Sequence, residues 1–135
     1  MKRFCVTLLI AAALLLPVPP ASAAVTRGIT FSADPVAVAS ADGTSLTVRV
    51  TVACPANYTV LEAFVYAAQG GQQSNFVGIP LTCRPRGTEY ELTVPAPVGA
   101  VWAEGPASLS GFVLLERKGT TLSTSPTATL NIDIP

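Results

Sequence analysis

Histidine is missing from the chain altogether. Its absence removes the commonest general base and the commonest transition-metal ligand, so neither a Ser-His-Asp nor a Cys-His catalytic arrangement can be built. Charge is scarce too, at 12% of residues. No basic cluster of the kind that grips nucleic acid or an anionic membrane occurs in the chain, which speaks against both partners. Methionine and tryptophan appear once each, and past residue 23 no sustained 3.6-residue apolar period survives, which argues against a helical domain. The composition runs instead to Val, Thr, Ala, Pro and Gly, the residues of strands joined by turns.

The first residues read differently from the rest. Lys2 and Arg3 precede an apolar run from Phe4 to Leu16, and a proline-broken tail of small residues follows. That is the order of a secretory signal peptide, and Ala21-Ser22-Ala23 places the expected cut before Ala24. The apolar run is well short of the roughly 20 residues that cross a bilayer, so no stable membrane insertion is expected after cleavage. Residues 1–23 are thus read as the signal peptide and residues 24–135 as one domain. Removal of Lys2 and Arg3 leaves the eight Asp and Glu outnumbering the remaining Lys and Arg by two. It also removes Cys5 and leaves Cys54 and Cys83 as an even pair, which in an exported chain reads as one disulfide. Cys5 lies before the apolar run, where a lipoprotein cysteine would follow it, so nothing suggests a lipid tether.

The stretch TSLTVRVTVAC alternates strictly: Leu46, Val48, Val50, Val52 and Cys54 share one face, and Thr47, Arg49 and Thr51 share the other. In NFVGIPLTC, Val77, Ile79, Leu81 and Cys83 likewise fall on one face. Both sulfurs then point inward, as a bridge between packed sheets or neighbouring strands requires. Further strand candidates are VTRGITF, VAVAS, YTVLEAFVYAA and TEYELTV, set apart by turn signals at Asp42-Gly43, Gly70-Gly71 and Arg86-Gly87. Lys118-Gly119 separates two strand-like runs and suits either a two-residue hairpin turn or a slightly longer glycine-containing loop. Pro126 is expected to split the last run or to mark an edge or bulge. Seven or eight short strands with this spacing predict an immunoglobulin-like antiparallel β-sandwich with one disulfide.

A leader, ADGT before a long alternating strand that ends in cysteine, LTC near the middle, and GPASLSGFVLLERKGT leading to a closing strand together resemble small secreted immunoglobulin-like proteins of unknown function from high-GC Gram-positive bacteria. The resemblance covers most of residues 24–135. It implies bacterial export and a sandwich, and brings no catalytic residue with it. The chain departs from antibody-type domains in its close cysteine spacing and in placing Trp102 after both cysteines, so the bridge need not join the usual strands.

Four groups of residues could carry function. Trp102 lies in a Pro- and Gly-rich segment, and Gln72, Gln73 and Asn75 lie in an amide-rich loop; together they could stack on and hydrogen-bond a sugar or a protein, or Trp102 could simply plug the open end of the core. Arg84 and Arg86 flank Pro85 beside Cys83, a stiff cationic loop of the kind a protease inhibitor presents, with Arg86-Gly87 as the bond offered. Glu89 and Glu91 share a strand face and could in principle work as an acid and base pair, although that pattern normally makes a solvated face. Two inward thiolates without histidine partners make an incomplete zinc site, so no metal and no cofactor are expected. The expectation is a secreted, extracellular, non-catalytic binding domain for a protein or carbohydrate; the alternative is a protease inhibitor acting through Arg84 to Gly87.

Overall fold

The computed structural model describes residues 23–26 and 28–135, with side chains from residue 28 onward. The expected leader up to Ser22 lies outside the described residues. The described chain is all β: β1 (Ala23–Thr26), β2 (Ile29–Ala33), β3 (Val36–Ala39), β4 (Ser45–Ala53), β5 (Thr59–Gln69), β6 (Gln72–Gln73), β7 (Val77–Gly78), β8 (Thr88–Pro95), β9 (Gly105–Arg117), β10 (Thr120–Thr124) and β11 (Thr127–Asp133). Two layers follow from the pairing. One runs β1-β2-β4 with β8 on the far side of β4, and the other runs β11-β9-β5 with β6 and β7 along β5 and β10 beside β9. β3 joins them, pairing with β4 at Val38 and Ala39 and with β11 through Val36, Ala37 and Val38, and the whole stays an open sheet. β4 takes β2 and β8 as neighbours while β9 takes β5 and β11, which is the strand order of an immunoglobulin-like sandwich.

Eleven runs stand where seven or eight were expected: VTRGITF divides at the turn before Ile29 into the hairpin β1-β2, the amide-rich segment adds the short β6, and Pro126 divides the last run. Pro35 has no N–H to give β4, so β2 ends there; Val36 N–H turns to Asp34 Oδ1 at 3.2 Å, and the chain crosses to the other layer as β3. The crossing makes β3-β11 parallel, the one departure from antiparallel pairing among the described strands. Pro126 separates β10 from β11 as expected, its carbonyl accepting from Gly111 N–H at 2.9 Å. At Lys118-Gly119 the tighter alternative holds: φ is 48° and 79° at the two residues and Arg117 pairs with Thr120, a two-residue hairpin.

The inward alternation is as read. Leu46, Val48, Val50 and Val52 are buried on β4 and meet Leu109, Val113 and Leu115 of β9 and Leu130 and Ile132 of β11 in one core. The layers approach closely where Phe31 lies over Gly111. A Cβ on Gly111 would sit 2.9 Å from Phe31 Cε2 and 3.0 Å from Cζ, so only hydrogen fits between ring and strand.

Cys54 and Cys83 form the disulfide, with Cα atoms 4.8 Å apart. It ties the residue after β4 to the segment leading into β8, neighbouring strands of one layer, and not one layer to the other. The chain-entropy model gives a loop of this length about 3 to 4 kcal/mol. Ile79, Leu81 and Cys83 are buried as the alternation predicts, but only Val77–Gly78 is a strand; Pro80 interrupts the pairing, and Leu81 N–H turns back to Ile79 O at 2.7 Å.

Candidate functional site

Tracing the strands from end to end separates the residues that the sequence singled out. β4 starts beside Val94 and Pro95 and ends beside Thr88, so Trp102 and the Arg84 to Gly87 turn lie at opposite ends, about 30 Å apart by the rise of nine strand residues. The two groups do not make one site.

At the first end, Trp102 is 2% exposed and its indole N–H donates to Val94 O at 3.1 Å. Of its two readings the structure gives the plug: neither ring face is left for a ligand, which corrects its place among binding residues. The fit depends on Gly43, whose carbonyl accepts from Trp102 N–H at 2.7 Å and whose φ of +73° places the missing Cβ 2.8 Å from Trp102 O. The Gly43 turn is held by Asp42, whose Oδ1 accepts from Ser40 Oγ at 2.6 Å, Thr44 Oγ1 at 2.8 Å and Thr44 N–H at 3.2 Å. Those donors, Ser40 first, lower the Asp42 carboxyl to about 2.

Gln72, Gln73 and Asn75 are exposed at this same end. A neighbour outside that group does the bridging. Gln69 donates through Nε2 to Ala103 O at 2.8 Å and accepts from Ala103 N–H at 2.9 Å, joining the amide-rich loop to the Trp102 loop. Ser74, 4% exposed, donates to Asn75 O and accepts from Ala67 N–H, which spends its hydroxyl on the fold.

At the other end, Arg84, Pro85 and Arg86 are exposed and line, with Gly87, Thr88 and Glu89, an open concavity of about 720 Å³. Arg84 O accepts from Gly87 N–H at 3.1 Å and from Cys54 N–H at 3.2 Å, so the loop closes as a tight turn with Gly87 at φ +79°. A protease reads an extended segment across the bond it cleaves, by pairing with its backbone. Here the Arg86-Gly87 bond lies inside the turn. Glu91 pairs with Arg49 across the strands at 3.4 Å, with side chains 61% and 56% exposed, and Glu89 is exposed on the same face, a solvated charged surface. Among the described residues no three Cys, Asp or Glu side chains gather, and no buried polar side-chain atom lacks a hydrogen-bond partner.

The feature that the sequence reading missed lies on the outer face of β5 and β9. Val65 and Ala67 point inward, so Phe64 and Tyr66 point outward, and Phe112 stands directly across from Phe64. Gly78 pairs with Phe64 on the other side and carries no side chain to cover it, and the Phe76 ring lies against Phe64 instead. The Phe76 and Phe64 rings stack with centroids 4.5 Å apart, while Tyr66 and Phe112 each lie 5.4 Å from one of them. Phe76 remains 62% exposed. The available signal was that FVYA and SGFVLL are apolar on both parities, which a strand with one wet face is not. No protein-family model matches the chain, and no curated protein matches it. Among the described residues no helix is long and apolar enough to cross a membrane.

Proposed function

We propose that the chain is an exported, extracellular, non-catalytic binding domain whose recognition surface is the aromatic outer face of β5 and β9. The observation that carries this reading is Phe76: a large apolar ring, 62% exposed, in contact with the rings of Phe64 and Tyr66, with Phe112 beside Phe64 on the same face. Isolated exposed apolar residues are ordinary, but a contiguous aromatic patch marks an interaction site. Aromatic anchors carry a disproportionate share of binding energy at protein interfaces. The disulfide fits an oxidising compartment. No histidine is available as a base, which favours binding over catalysis.

A photo-reactive phenylalanine at position 76, irradiated in the producing cells and their medium, tests the reading. Cross-linked adducts are expected there and not from the same group at Thr93 on the outer face of β8. No adduct from position 76, or equal yields from both positions, would contradict it.

A further inference from the structure

We infer that the aromatic face is a self-association surface and that its occupant is a second copy of this chain. The inference rests on the proposed binding face and names its partner. Charge is the first reason. Residues 63–69 of β5, 72–78 of β6 and β7, and 105–115 of β9 contain no Asp, Glu, Lys or Arg. In a two-fold pairing a patch meets itself, so any charge near the axis would meet its own sign. This face has none to meet. A different partner is ordinarily selected by complementary charge, and the centre of this face offers nothing of that kind to match. The flanking anions Glu62 and Glu116 sit together at one end of the face, since Glu62 pairs opposite Leu114 and Glu116 opposite Thr59; a two-fold that runs β5 against its copy sends the two pairs to opposite ends.

Size is the second reason. The uncharged centre spans residues 63–69 of β5, about 23 Å, and three strand positions at about 4.8 Å, a projected area of about 330 Å². The polar ends of β5 and β9 extend it as a rim toward the roughly 800 Å² each partner buries in a standard interface. Preorganisation is the third. Phe76 is stacked on Phe64 and lies 5.4 Å from Tyr66, so its ring is already ordered and loses little freedom on docking.

The full 135-residue chain is expressed, and the recovered protein is studied by sedimentation velocity over a range of concentrations. A species of two-chain mass is expected to grow with concentration and to be lost in Phe76→Ser, which removes an exposed ring. Ser110→Lys and Ser110→Glu, each placing a charge on the same face, are each expected to sediment as single chains and to recover two-chain mass when mixed. A wild type of single-chain mass at every concentration overturns the inference, as does a dimer that survives Phe76→Ser and both Ser110 variants. The photo-cross-link at position 76 separates this inference from the reading beneath it. An adduct of two-chain mass supports both, an adduct of another mass overturns only the second copy, and no adduct overturns the binding face itself.

Discussion

β4 and β5 follow one another in the chain and both bury small apolar side chains on alternate residues, yet β4 turns Thr47, Arg49 and Thr51 outward whereas β5 turns out Phe64 and Tyr66. The layer of β4 carries the Arg49-Glu91 ion pair on its outer face and the disulfide at its end. The layer of β5 carries stacked rings and no charge along its centre. Inward residues are alike because both layers share one core; outward residues differ, one face carrying charges and the other aromatic rings.

The contrast can be strained in four ways. Replacing Cys54 and Cys83 together by alanine unpins the charged layer and is expected to cost about 3 to 4 kcal/mol, read from the denaturant midpoint of the oxidised and variant proteins. A smaller loss, about 1 to 3 kcal/mol, is expected for Gly111→Ala, because the new methyl meets the Phe31 ring and forces the layers apart. Unfolding at several pH values would show it as a loss of equal size throughout.

Acid should act on a third point, the turn under Trp102. The folded carboxyl of Asp42 is lowered from 3.8 to about 2, so its contribution is complete above about pH 4 and is lost as pH falls through about 2. Asp42→Asn is expected to flatten that part of the acid unfolding curve; an unchanged curve would show that the turn does not feel the proton. The smallest stability effects belong to the outer faces themselves. Arg49→Ala should shift stability by no more than about 0.5 kcal/mol, since it breaks an exposed ion pair, and Phe76→Ser by about 0.5 to 1.5 kcal/mol, since it removes a ring packed on Phe64 and Tyr66. Only Phe76→Ser should change the sedimenting mass.

Much of the fold was legible because alternation and turn chemistry are local. Leu46 to Cys54 declares its buried face in a period of two, Lys118-Gly119 its turn, and the even cysteine pair its bridge. The crossing at Pro35 and the parallel β3-β11 pair were not legible, since they depend on which distant strand is free to accept the chain. Pro80 likewise ended a strand that the alternation of Ile79, Leu81 and Cys83 had suggested. The candidate site was legible least. In FVYA and SGFVLL both parities are apolar, and only the register with Gly78 and Phe112 assigns Phe64 and Tyr66 to the outside. Trp102 invited a functional reading by its rarity, and burial explains it instead.

Hydroxyl-radical labelling of the wild-type protein at low and high concentration tests the aromatic face most directly, because Phe76 and Tyr66 report its exposure. Tyr90, a half-buried residue on the inward side of β8, serves as the reference. Labelling of Phe76 is expected to fall as concentration rises, with Tyr66 following it, while Tyr90 of β8 keeps its value. Constant labelling of Phe76, or a fall at Tyr90 in its place, would contradict the assignment of the uncharged face as the surface on which two copies meet.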